Sequence, residues 1–184
     1  MYIFGYGSLM NSASRQRTGN TGRAFPAIAH GLVRQWGKLN EDYTLSPLVV
    51  SQGDGQVNGM LLEVDDEALN DFDAREHGYE RIQLTVDQVD TDAQLANDAV
   101  IWVYVSDKAL NPCQNAPIMQ TYLDTVIAGC LEVSEAFAKH FVDHTIGWEF
   151  PLENDRAKPK YGNLAGVLDC HHPIIDEMIA TVRR

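Results

Sequence analysis

Cysteine, long apolar runs and positive charge are all in short supply in this chain, and each shortage excludes something. Only Cys113, Cys130 and Cys170 occur in 184 residues. They are far apart, odd in number and form no Cys-x-x-Cys pair, which argues against a disulfide framework and against a thiolate metal cage. No apolar run approaches the roughly 18 residues of a membrane span, and no basic stretch leads into an apolar one as in an export signal. The expectation is a cytoplasmic protein with no membrane partner. Lys and Arg number 14 against 26 Asp and Glu, for a net charge of −12. Phosphate backbones are bound by clustered cations, so nucleic acid is not an expected partner either.

Familiar catalytic signatures are missing as well. A dinucleotide fingerprint would need glycine where Met10 stands, and an acid some 20 residues later. Ser8 is not in a G-x-S-x-G elbow, because Tyr6 and Met10 hold the glycine positions. No Gly-Lys-Ser/Thr phosphate loop is present. His140 and His144 are spaced to share a metal on a helix, but Phe141 stands where a zinc protease places its Glu. His171 and His172 are neighbours, which usually point apart. No metal and no cofactor are expected.

One segment lacks acid altogether. Residues 1–40 hold Arg15, Arg17, Arg23, Arg34 and Lys38 with no Asp or Glu, a local charge of +5 that leaves −17 for residues 41–184. That segment contains FGYGSL, Phe4 to Leu9, where two glycines interrupt a strand that has barely begun. Glycine weakens a strand and is used there for a bulge, or where a ligand approaches bare backbone. A small anion could be steered to this segment.

At 45% hydrophobic and 22% charged, the chain can bury one sizeable core but is short for two, so a single domain over 1–184 is expected. Beta-like runs fall at 2–5, 27–36, 44–50, 57–64, 80–89 and 99–105. The stretch 65–76 predicts a short helix with Asp65 or Asp66 as N-cap and Leu69 and Phe72 on its apolar face. Pro117 can open a longer helix carrying Met119, Tyr122, Leu123, Val126, Ile127 and Cys130, with Gly129 near its end. A further helical piece is expected around 134–141 and an extended loop over 147–163, bordering the site. The order of elements indicates an α+β fold. Tyr79, Tyr104 and Tyr161 can each bond a ligand or simply pack.

DAREHGYER, residues 73–81, follows the short helix, and Glu76 sits just before the His77-Gly78 turn, where a carboxylate can be projected out of regular structure. An N-terminal Y-G-S-L loop followed in order by a helical F-D-x-R-E-x-G-Y resembles the γ-glutamylcyclotransferase-like family, which includes ChaC-type and AIG2-like proteins. The resemblance extends over about the first 105 residues. It implies a small, strongly curved mixed β-sheet or barrel flanked by helices, with a cavity lined by FGYGSL and Glu76. By the same resemblance, Tyr6, Gly7, Ser8 and Leu9 bind the γ-glutamyl group through backbone, and Glu76 is the acid and base. Glu80 is the reserve for that role, and Asp73 competes for it. The implied partner is a small γ-glutamyl compound that closes on itself to 5-oxoproline. A non-catalytic module binding a small acidic metabolite in the same cavity is the rival reading.

Overall fold

The structure is a computed structural model that describes residues 1–183. In chain order it contains strand β1 (Tyr2–Gly5), a 3-10 turn (Ser8–Met10), helix α1 (Ser12–Thr18), strands β2 (Ala24–Trp36) and β3 (Leu48–Glu63), and helix α2 (Asp66–Arg75). Strand β4 (Glu80–Leu84), a second 3-10 turn (Val86–Gln88), and strands β5 (Val89–Thr91), β6 (Ile101–Val105) and β7 (Ile118–Met119) follow. Helices α3 (Gln120–Val133) and α4 (Glu135–Asp143), strands β8 (Thr145–Ile146) and β9 (Leu152–Glu153), and helix α5 (His171–Ala180) complete it.

The main sheet has the order β4-β6-β1-β3-β2-β5, with β8 beside the second half of β2. It is mixed, because β1 and β6 are parallel while β1–β3, β2–β3 and β4–β6 are antiparallel. Its curl comes from two long strands that bend. The β2–β3 register shifts between His30 and Leu32, where Gly31 takes a φ of +81° that a side chain would make strained. The second half of β3 pairs with β1, while Val50 in its first half accepts the Ser106 amide just beyond β6 at 2.8 Å. One bent strand thus touches both β1 and the end of β6, and the sheet becomes a half-barrel.

Both faces of its middle strands are covered, which explains why IWVYV and MLL are apolar at every position. Phe4, Leu61 and Val103 point into the barrel, while their neighbours Ile3, Leu62 and Tyr104 point out against the helices. Every residue of α3 from Gln120 to Cys130 is buried. The entry to α3 is capped from a distance, since Met119 supplies no side-chain bond: Asp155 accepts the Thr121 amide at 2.8 Å, the Thr121 hydroxyl at 2.6 Å and the Lys160 amide at 2.8 Å. Farther along, α3 touches the turn after FGYGSL backbone to backbone. A Cβ on Gly129 would lie 2.3 Å from the Asn11 nitrogen. Asn11 itself donates to the carbonyls of Thr125 and Ala165, both at 3.1 Å, and accepts from Ser14.

Several expected boundaries move. The runs 44–50 and 57–64 merge, from Leu48 to Glu63, into the single strand β3, because the glycines of QGDGQ lie in its bulge and do not end it; residues 44–47 are not strand. The run 80–89 is split by a 3-10 turn that Gln88 closes by accepting the Thr85 amide at 2.9 Å. Pro117 precedes a short strand, β7, paired with β9, and its carbonyl accepts from Ser46. The 147–163 segment is tied down: Arg156 bonds Asp124 on α3 and Asp176 on α5. Helix α5 lies beyond the elements expected from the sequence. Among the described residues, no helix is long and apolar enough to cross a membrane.

Two stability predictions follow from α3. Gly129→Ala should lower stability by about 1–3 kcal/mol through overpacking, against a helix-propensity gain of about 1 kcal/mol; a higher thermal midpoint would contradict the close approach. Burial opposes charge on Asp155, but its hydrogen bonds outweigh that and hold its carboxyl below the ordinary range. Its stabilisation is complete above the unfolded Asp value of about 3.9 and is lost as pH falls through the depressed folded value. The stability gap between wild type and Asp155→Asn should therefore narrow in acid unfolding and stay constant above about pH 5.

Candidate active site

FGYGSL leaves β1 and turns at once into the Ser8–Met10 3-10 turn, and its backbone is held by its oxygens. Arg34 reaches the Tyr6 carbonyl at 3.3 Å, and Arg15 bonds the carbonyls of Leu9 and Met10 at 2.9 and 2.8 Å. In a planar trans peptide the N–H points away from the C=O. With the Tyr6 oxygen turned to Arg34, the Gly7 N–H faces the other way. The Met10 and Asn11 amides bond the Gly7 and Ser8 carbonyls at 2.9 and 3.1 Å, whereas the leading amides of the turn, Ser8 and Leu9, have no acceptor within it.

That segment lines a cavity of about 190 Å³. Gly7 brings it close to Tyr122 of α3: a Cβ at position 7 would stand 2.9 Å from the Tyr122 hydroxyl. The same hydroxyl accepts the Leu48 amide at 3.4 Å. Tyr6 lines the cavity too, but its own hydroxyl donates to the Tyr104 carbonyl at 2.8 Å, so its phenol is used for support. Burial raises Tyr6, Tyr79 and Tyr122 well above the ordinary phenol range, with the nearby Glu76 charge adding to each. All three remain protonated donors near neutral pH.

Glu76 lies on the same cavity wall. Helix α2 begins on an Asp65 cap that accepts the Ala68 amide at 2.8 Å and ends at Glu76, whose amide still bonds Phe72. Gly78, at φ +101°, then turns the chain, and Tyr79 folds back to bond the Glu76 carbonyl. The carboxylate is asymmetric. Arg75 bonds Oε1 through Nε at 2.9 Å and Nη2 at 2.7 Å, while Oε2 has no hydrogen-bond partner among the described residues. Arg75 in turn rests on the Phe72 ring, 5.0 Å from its centroid.

All five residues singled out from the sequence, Tyr6, Gly7, Ser8, Leu9 and Glu76, thus share one cavity. The two competing carboxylates do not line it. Asp73 accepts from the Tyr104 hydroxyl at 2.7 Å and from Arg81 at 2.6 Å, and Glu80 is exposed on the edge strand β4. The 147–163 segment borders the cavity only indirectly, through Tyr161 packed edge-on against Tyr122 at 4.9 Å. His140 and His144 stack at 3.9 Å, and His144 Nε2 is engaged with Gln56. Among the described residues no group of three or more His, Cys, Asp or Glu could hold a metal.

Arg75, Phe72, Tyr104 and Tyr122 also line the cavity. Tyr122 left one trace in the sequence, a hydroxyl on the otherwise apolar face of α3. Arg75 left none, because a pairing between chain neighbours depends on the local turn.

A family model described as gamma-glutamyl cyclotransferase, AIG2-like, matches residues 3–122, more than half of the chain. Among solved structures, a gamma-glutamyl cyclotransferase superposes with a TM-score of 0.61 at 15% identity, covering 96% of this chain and 98% of that one. An uncharacterized protein from Homo sapiens gives 0.58 at 16%, with 95% and 97% covered. YkqA from Bacillus subtilis gives 0.58 at 19%, with 83% and 56% covered. At these identities the likeness is one of fold. No curated protein matches significantly.

The contact between Gly7 and Tyr122 can be tested without any ligand. Gly7→Ala should lower the thermal midpoint, and adding Tyr122→Phe should recover part of the loss. The expected coupling energy is about 0.5–3 kcal/mol; strict additivity would show that the two positions do not touch.

Proposed function

This chain belongs to the gamma-glutamyl cyclotransferase, AIG2-like family, and we propose that it converts a γ-glutamyl amine, amino acid or peptide into 5-oxoproline and the free amine. One observation carries the reading: a carboxylate with a free oxygen and the Tyr6–Leu9 segment line the same cavity. In such a substrate the α-amine lies within reach of its own γ-carbonyl. Attack forms a bond from that nitrogen to the γ-carbon and breaks the bond from the γ-carbon to the leaving nitrogen.

Both steps need a proton moved. The α-ammonium must lose one before it attacks, and the leaving nitrogen must gain one. Glu76 Oε2 is the group for both transfers, first as base and then as acid. Amides of Gly7, Ser8 and Leu9 are the donors for the developing γ-oxyanion or the α-carboxylate, and a donor to an oxyanion is worth about 2.7–4 kcal/mol. Tyr79 and Tyr122 add hydroxyls that stay protonated. Holding the substrate chain folded is the larger task, since the reacting groups share one molecule.

The cavity volume bears on substrate size. About 190 Å³ is small beside the roughly 300–1,000 Å³ of pockets that take drug-sized ligands, which suits a glutamyl head. The leaving group would extend beyond the mouth, consistent with amines, amino acids and peptides all being admissible.

Incubation with a panel of γ-glutamyl compounds, with 5-oxoproline followed by mass spectrometry, tests the activity. Glu76→Gln should reduce turnover about 100- to 10,000-fold with the fold intact, the range for loss of general acid–base catalysis. Asp73→Asn and Glu80→Gln should be much milder. Near-normal release by folded Glu76→Gln would remove the assignment, and binding without release by wild type would favour a non-catalytic module.

A further inference from the structure

Arg34 is the one fully buried arginine among the described residues, and nothing in the chemistry above uses its charge. Its partners are all neutral. Nε donates to the Thr145 hydroxyl at 2.8 Å, Nη1 to the Asn58 carbonyl at 2.8 Å and the Tyr6 carbonyl at 3.3 Å, and Nη2 to Asn58 Oδ1 at 2.8 Å and the Phe141 carbonyl at 3.3 Å. The guanidinium also lies over the Phe141 ring, 4.2 Å from its centroid. It forms no ion pair with any described carboxylate. An isolated buried charge is expensive unless it is paired or fully hydrogen-bonded. Here the bonds are supplied but the opposite charge is not.

The position of Arg34 shows where an opposite charge would act. Between it and the cavity lies the Tyr6–Gly7 peptide, whose oxygen accepts a hydrogen bond from Arg34 Nη1 and whose N–H points the other way. A cation at the oxygen end of a peptide polarises it and strengthens the donor at its far end. The residues lining the cavity include one cation and one anion, Arg75 and Glu76, and these neutralise each other. The electrostatic bias of the cavity therefore comes from the charge behind the loop, in surroundings where Coulomb interactions are stronger than in water.

We propose that Arg34 is a specificity-determining residue that selects substrates with a free α-carboxylate, acting through the Tyr6–Gly7 peptide. The assignment rests on the γ-glutamyl reading. An α-amino acid head is a zwitterion, and the cavity then has a wall for each end: the carboxylate lies toward the amides backed by Arg34, and the ammonium toward Glu76 Oε2. This sorting of charges turns the amine to the base before chemistry begins. Arg34 does not touch substrate, so its effect is on discrimination between charged and neutral α-groups.

The test compares γ-glutamylalanine with its counterpart bearing an amide at the glutamyl α-carboxyl. Dissociation constants are measured by calorimetry with Glu76→Gln to prevent turnover, and kcat/KM with the otherwise wild-type chain. The Glu76→Gln protein should prefer the carboxylate at least about tenfold, or about 1.4 kcal/mol; a preference under about threefold overturns the proposal whatever the other variants do. Arg34→Gln should reduce the preference about tenfold. Because removing a buried guanidinium can prevent folding, Asn58→Asp provides an independent arm: it keeps Arg34, gives up the Asn58 Nδ2 bond to the Phe137 carbonyl, and sets a countercharge against Nη2. That variant should also lose the preference. A purely structural role would weaken both compounds equally and leave the ratio unchanged, which would sink the proposal. Full preference for the carboxylate with no 5-oxoproline release would remove the catalytic reading and leave Arg34 as the selector of a binding site.

Discussion

The cavity depends on how the backbone from Tyr6 to Asn11 is fixed. Arg34 and Arg15 take carbonyl oxygens of Tyr6, Leu9 and Met10, while the Asn11 side chain bonds α3 and the Ala165 carbonyl. A backbone held by its oxygens presents its N–H groups elsewhere, because the two point oppositely across each peptide. Gly7 and Gly129 are part of the same constraint. One admits the Tyr122 hydroxyl and the other admits the Asn11 backbone, so α3 can lie directly on the segment.

The curled sheet brings the second half of the site to the first. Strand β1 delivers FGYGSL from the middle of the sheet, and α2 follows the neighbouring β3, so the end of α2 arrives beside the end of β1. Glu76 needs no long loop to reach the cavity. The Tyr104–Asp73–Arg81 bonds fasten α2 to β6 and β4 from the other side, which gives Asp73 a supporting part while Glu76 faces inward.

What could be read in the sequence was local. FGYGSL declared itself by glycines in a strand, and Glu76 by a helix end before a glycine turn; the middle strands showed as apolar runs. What could not be read depended on distant partners. The Asp155 cap for α3 comes from a residue 34 positions away, and the helix expected from Pro117 starts only at Gln120. QGDGQ looked like a strand boundary because a bulge and a turn use the same glycines. In the sequence Arg34 is only one of five cations in an acid-free segment. Burial separates it from Arg23, which is exposed and paired with Glu63 on the surface.

The depth of Arg34 matters for how the protein meets dissolved ions. The net charge of −12 is carried on the surface, where a Debye length of about 8 Å at physiological ionic strength screens it. Arg34 is sealed from solvent and escapes most of that screening. Added salt therefore weakens the outward repulsion of anions more than the inward attraction. An acidic protein with a buried cation becomes more receptive to small carboxylates as ionic strength rises, the reverse of what a surface patch of arginines would do.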